Sequence, residues 1–122
     1  MVIHESAENY LEAILVIKKE KGAVRSIDIV RHLEFSKPSV SRAVGLLREN
    51  CYITVDKEGF IELTDAGREI AERILERHSV VSKWLISLGV DEKTAADDAC
   101  KIEHAISQES FDKLKEHIAG KA

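Results

Sequence analysis

The sequence is poor in the residues that break helices and in those that cross-link chains. Its 122 residues hold one proline, six glycines, two cysteines and only six aromatic side chains (one Trp, two Tyr, three Phe). With so few turn-formers, helix should dominate. No apolar run approaches the ~20 residues a membrane helix needs. The opening "MVIHESAENY" lacks the basic-then-apolar layout of a secretory signal. The expected location is therefore the cytoplasm, where Cys51 and Cys100 are expected as thiols rather than as a disulfide. There is no glycine-rich phosphate loop, no nucleophile elbow and no H-E-x-x-H pair, so an enzyme is not expected. Internal repeats, low-complexity segments and flexible linkers are missing too.

What is present suits a folded protein. Hydrophobic residues make up 44% and charged residues 33% of the chain, well away from a disordered composition. The net charge of −4 argues mildly against nucleic acid, but its distribution matters more. Between positions 37 and 48 stand Lys37, Arg42 and Arg48 with no acid among them. From 97 to 116 there are six acids against three lysines. A basic helix on an acidic protein still binds phosphate, because the local field within a Debye length decides.

Hydrophobic periodicity divides the chain into short elements. "SAENYLEAILVIKKEKG" predicts a helix capped by Ser6, with an apolar stripe of Tyr10, Leu11, Ile14, Leu15 and Ile17 and a stop at Gly22. "SIDIVRHLEF" predicts a second, capped by Ser26 and burying Ile27, Val30 and Leu33. "SKPSVSRAVGLLREN" predicts a third, with Ser36 as cap, Pro38 in the first turn, and Val40, Val44 and Leu47 inward. The period then changes. "YITV", a turn at "DKEG" and "FIEL" predict a two-stranded hairpin. Thr64 should cap a long helix with Ile70, Ile74, His78, Val81 and Leu85 on one face, closed by Gly89. Asp91 and Ser107 should cap the last two, the final one presenting Phe111, Leu114 and Ile118.

Two short helices, a tight connection and a hairpin make a winged helix-turn-helix pattern, whose second helix enters the DNA major groove. Lys37, Pro38, Ser39, Ser41 and Arg42 fall near the start of that reading helix. Serine hydroxyls bond bases or phosphates, and arginine pairs bidentately with guanine. Lys57, at the hairpin tip, is placed to touch phosphate. The alternative is an ordinary helical pair with a solvated basic face, which the following hairpin and "LTDAGREIAERI" make less favoured. Cys51, beside Tyr52, is expected as a buried packing residue.

The second signal is "DDACKIEH". Cys100, Glu103 and His104 stand at i, i+3 and i+4, so one helix face would carry a thiol, a carboxylate and an imidazole, all good transition-metal donors. By itself C-x-x-E-H is weak, and a complete site needs donors from elsewhere. His78 interrupts an apolar stripe; such a histidine is more often a hydrogen-bonded core residue than a ligand. Glu8, Asn9 and Glu12 cluster at the start of the first helix. A nucleophile–base pair of Cys100 and His104, or a zinc hydrolase using His78, Glu103 and His104, would leave the DNA-reading pattern idle.

In combined order, "SAENYLEAI", "KPSVSRAV", the wing, "LTDAGREIAERILERH" and "DDACKIEH" resemble the diphtheria toxin repressor family (DtxR/MntR) of metal-dependent transcriptional repressors, over nearly the whole chain. The resemblance implies a mainly α fold with a small β-hairpin: a winged helix-turn-helix over residues 1–65, then a helical dimerisation and metal-binding domain over 66–122. It implies a homodimer on a palindromic operator of double-stranded DNA once a divalent metal is bound. It implies metal ligands at Asn9, Glu12, His78, Cys100, Glu103 and His104, in the short form without an SH3-like domain. Position 9 holds asparagine where the iron branch has methionine and the manganese branch aspartate; Cys100 follows the iron branch. Ser82 and Ala96 replace a glutamate and a histidine of the iron-type second site, so one principal metal per subunit is expected. A thiolate beside two carboxylates makes Fe(II) the first choice, with Mn(II) and Zn(II) close behind. The function expected is metal-responsive control of metal-homeostasis genes. The alternative is a metal-independent winged-helix regulator answering to a small molecule or partner. A contribution from His4 to the site is left open.

Overall fold

The computed structural model describes residues 5–120, so His4 lies outside the described residues. Six helices and one hairpin follow in the order α1 (Glu5–Lys21), α2 (Ser26–Leu33), α3 (Lys37–Glu49), β1 (Ile53–Val55), β2 (Ile61–Leu63), α4 (Asp65–Ser87), α5 (Glu92–Ala105) and α6 (Gln108–Ala119). The chain separates into two compact units between Glu72 and Arg73, within α4. None of the described helices is long and apolar enough to cross a membrane.

The first unit is the winged helix-turn-helix. Leu11, Ile14, Val24, Ile29, Val40, Leu47, Ile53 and Ile61 are all buried and form its core. Full burial of each such side chain contributes roughly 1.5–3 kcal/mol. The hairpin is antiparallel, pairing Ile53 with Leu63 and Val55 with Ile61. The Ile61 N–H also donates to the Val24 carbonyl at 2.7 Å, which ties the wing to the segment before α2. Ser36 caps α3 as its sequence predicts, accepting the Ser39 N–H, and Pro38 sits in the first turn.

Four local expectations are corrected. The helix already runs through Ser6, which is therefore not its cap. Ser26 is the first helical residue of α2 rather than the cap; Asp28 reaches back to accept the Arg25 N–H at 2.9 Å. The face of α2 that goes inward carries Ile29, fully buried, while Ile27 is exposed. Cys51 is also exposed, with φ at +64°. It follows the end of α3 in the left-handed conformation, its N–H donating to Arg48 O and that of Tyr52 to Leu47 O. That is a Schellman closure, and it points the side chain outward.

One polar node then secures the exit of the wing. Thr64 Oγ1 donates to Cys51 O, Thr64 N donates to Tyr52 O, and Gly67 N donates to Thr64 Oγ1. This starts α4 against the end of α3, with Thr64 in the capping role its sequence position predicts.

The second unit holds the remainder of α4 with α5 and α6. Val81, Ala99 and Phe111 are its buried centre, surrounded by Val80, Leu85, Ile102, Ile106 and Leu114. Gly89 (φ +100°) turns the chain after α4, Asp91 caps α5, and Ser107 caps α6.

Candidate metal centre and DNA-reading face

Asp91 starts α5, and its helical phase sets Ala95 and Ala99 against the core together with Glu103. Small alanines let the helix pack closely, so the glutamate one turn further on is carried inward. Its exposure is zero. Burying a carboxylate away from water is costly unless partners compensate, so this is the least expected side chain in the unit. One partner is His78 on α4, whose Nδ1 donates to Glu103 Oε2 at 2.9 Å. A carboxylate only accepts, so a neutral ring here carries its proton on Nδ1 and leaves the Nε2 lone pair available to a metal.

The other oxygen, Oε1, is buried and accepts no hydrogen bond among the described residues. His104 Nε2 stands 3.3 Å from it without hydrogen-bonding alignment, and the His104 side chain is only 2% exposed. One donor atom each from Cys100, Glu103 and His104 lies within 4.8 Å of the others. A sulfur, a carboxylate oxygen and an imidazole nitrogen thus converge beside a buried oxygen with an unused lone pair. That is the donor chemistry of a divalent transition metal, and the residues fit the ion.

Asn9 and Glu12 stand one turn apart on α1, partly buried, in the first unit. Each takes part in side-chain interactions of its own.

Two arginines carry structure that the motifs leave unnoticed. Arg77, 7% exposed, lies beside His78 on α4. Its Nη1 donates to the main-chain oxygens of Glu103 (3.0 Å) and Ile106 (2.8 Å), and its Nη2 to Gln108 Oε1 (2.9 Å). Three residues after Ile74 and four before Val81, it occupies the buried stripe; that spacing was the available signal. Arg25 stacks on Phe60, 4.7 Å from the ring centroid, and donates to Glu58 O, bracing the wing. No sequence pattern pointed to it.

On α3, Lys37, Pro38, Ser41 and Arg42 are exposed. Ser39 is partly buried, with its Oγ 2.8 Å from Ser36 Oγ, so its hydroxyl belongs to the cap. Lys57 is exposed at the wing tip, in a turn closed by Asp56, whose Oδ1 accepts the Glu58 and Phe60 N–H groups. Burial raises the Tyr10 phenol above its ordinary range, and the Arg42 charge pulls it partly back.

A winged helix-turn-helix followed by a helical unit with a partly buried S, N, O cluster defines a metal-responsive DNA-binding protein. The chain belongs to the iron-dependent repressor family. The profile described as "Iron dependent repressor, N-terminal DNA binding domain" matches residues 3–60, and "Iron dependent repressor, metal binding and dimerisation domain" matches 64–120. An uncharacterized HTH-type transcriptional regulator of Methanocaldococcus jannaschii is 35% identical over 113 residues, covering 91% of this chain and 90% of its own. The HTH-type transcriptional regulator MntR of Bacillus pumilus is 35% identical over 109 residues, covering 89% and 76%. Among solved structures, IdeR of T. acidophilum superimposes with a TM-score of 0.75 at 26% identity, over 98% of this chain and 55% of that one. The fold class, the family and the role of metal-dependent DNA-binding repressor agree with the expectations from sequence.

Proposed function

We propose that this chain is an Fe(II)-responsive repressor that works in the cytoplasm as a homodimer on a palindromic operator, controlling metal-homeostasis genes. The observation that carries the reading is the convergence of Cys100, Glu103 and His104 around a carboxylate withdrawn from water. A soft thiolate among harder oxygens favours Fe(II) over Mn(II), which prefers oxygen donors, and leaves Zn(II) as the main competitor. The ligand set is Cys100, Glu103 and His104 with His78, completed by Asn9 and Glu12 from α1 as the family resemblance implies. When bound, the ion supplies a divalent charge on which these lone pairs converge.

The residues do the rest. Glu103 and His78 are already hydrogen-bonded, so two of the proposed ligands are held together before loading. Ligands drawn from both units would restrict the orientations open to the reading head. Two recognition helices in a dimer must match the half-site spacing, so that restriction selects the DNA-competent arrangement. Linkage then requires the operator to tighten metal binding by the same factor. Lys37, Pro38, Ser39, Ser41 and Arg42 on α3 and Lys57 on the wing form the DNA contact, with Ser39 acting through the cap it shares with Ser36. No catalytic step is assigned to any residue.

The test is an anaerobic titration of metal-free protein with Fe(II), Mn(II) and Zn(II), read by binding to DNA upstream of its own gene. Retardation that needs metal, is strongest with Fe(II) and vanishes in His104→Ala is expected. Equal binding with chelator present would remove metal from the account and leave a metal-independent winged-helix regulator.

A further inference from the structure

We infer that Arg77 is a positioning residue for the metal centre: it caps the end of α5 from α4 and thereby sets where Glu103 and His104 present their donor atoms. The inference rests on the metal-site reading above.

The last carbonyls of a helix have no partner inside it and carry its negative dipole end. In α5 these include Glu103 O, and Ile106 O follows at the cap. Arg77 Nη1 takes both, at 3.0 and 2.8 Å, while Nη2 holds Gln108 Oε1 at the first residue of α6. The guanidinium also lies 5.5 Å from the Phe111 ring centroid. A planar fork with several fixed donors spans these acceptors at once, which an ammonium on a flexible stem does not. The guanidinium and its two main-chain acceptors lie on buried or partly buried residues, where each hydrogen bond is worth more than at the surface.

The consequence for the site comes from Glu103 being held twice by successive residues of α4. Arg77 grips its main chain, and His78 grips its side chain at 2.9 Å. With both ends held, the Glu103 carboxylate has few positions to explore, and His104, the next residue, turns with it. Releasing the main-chain end lets the last turn of α5 fray, moving two donors relative to Cys100. Groups that orient ligands without touching the ion change metal affinity by about 10- to 100-fold when removed.

The experiment titrates the metal-free full chain with Co(II), read by chelator competition and by absorption from thiolate-to-cobalt charge transfer and d–d bands. Stability of the same metal-free proteins is followed in urea. Arg77→Lys keeps the charge and loses the fork; it should bind Co(II) about tenfold or more weakly with altered d–d bands. Leu85→Ala perturbs the same unit's core two turns along α4 from Arg77; it should lower the urea midpoint and leave affinity and spectrum nearly unchanged. An Arg77→Lys protein with wild-type affinity and spectrum and only a lower urea midpoint would overturn the inference. If Arg77→Lys does not fold, Gln108→Ala removes one arm of the clamp at an exposed residue. A measurable loss of affinity there supports the inference, and none overturns it. Failure of the wild type itself to give a Cys100-dependent thiolate band would overturn the metal-site reading and this inference together, and the wild-type titration separates that case from the others.

Discussion

His78 Nδ1 and Glu103 Oε2 meet at 2.9 Å across α4 and α5, and they do so inside a site whose carboxylate has no exposed surface. A charge buried this way is retained at a cost in stability. Glu103→Gln keeps the shape and leaves His78 an acceptor. It should leave the metal-free protein as stable or more stable by about 1 kcal/mol, while lowering metal affinity by about 100-fold or more. Urea unfolding of the metal-free protein beside a Co(II) titration checks both halves; lower stability with intact affinity would contradict the assignment.

In the proposed site, Cys100 sets the softness of the donor set. Cys100→Glu exchanges a thiolate for a carboxylate and should move the Mn(II)-to-Fe(II) affinity ratio toward manganese by about tenfold. Competition titration under anaerobic conditions measures that ratio directly, and an unchanged ratio would mean that Cys100 does not touch the ion.

Gly67 is where α4 passes the strand that leaves α3. A Cβ at this position would overlap the Tyr52 carbonyl oxygen, which is backbone and already engaged by Thr64 N. Gly67→Ala should destabilise the first unit by roughly 1–3 kcal/mol, seen as a lower unfolding midpoint.

Cys51 occupies a left-handed position that glycine fills with less strain. Holding an L-residue there costs roughly 1–2 kcal/mol, partly offset because glycine loses about 0.5–1 kcal/mol more backbone entropy on folding. Cys51→Gly should therefore be stabilising by about 0.5–1 kcal/mol, and thermal unfolding with an unchanged fold should report it. A drop in midpoint would mean that the thiol contributes packing at an exposed site.

Asp28 titrates below the ordinary carboxylate range, because Lys21 Nζ bonds its side chain at 2.8 Å and the Arg25 N–H adds a second bond. A depressed carboxylate stabilises fully above its unfolded value, near pH 4, and loses that contribution as pH falls through the folded value. Asp28→Asn should cost about 0.5–1 kcal/mol at neutral pH. The difference from wild type should shrink below about pH 4, and urea midpoints at pH 7 and pH 3 test it.

Elements defined by local rules were legible in the residues. Ser36, Thr64, Asp91 and Ser107 cap the helices their positions imply, because a hydroxyl or carboxylate beside orphan N–H groups acts over three residues. The hairpin followed from alternation around "DKEG". Where two local solutions compete, the residues alone pointed elsewhere. The cap position of α2 falls at Arg25 rather than Ser26, with Asp28 accepting its N–H, and Cys51 was expected inside yet turns outward, because the helix end needs a left-handed residue and no glycine is there.

The sequence by itself determined the order of helices and wing, the placing of Cys100, Glu103 and His104 on one helix face, and the family, since these depend on residue types at fixed short spacings. Tertiary structure alone decided how deeply Glu103 is buried, that His78 rather than water meets its carboxylate, and that Arg77 closes the end of α5. Those outcomes depend on which faces of α4, α5 and α6 pack together. Short spacings along one helix carry no information about the distance to the next.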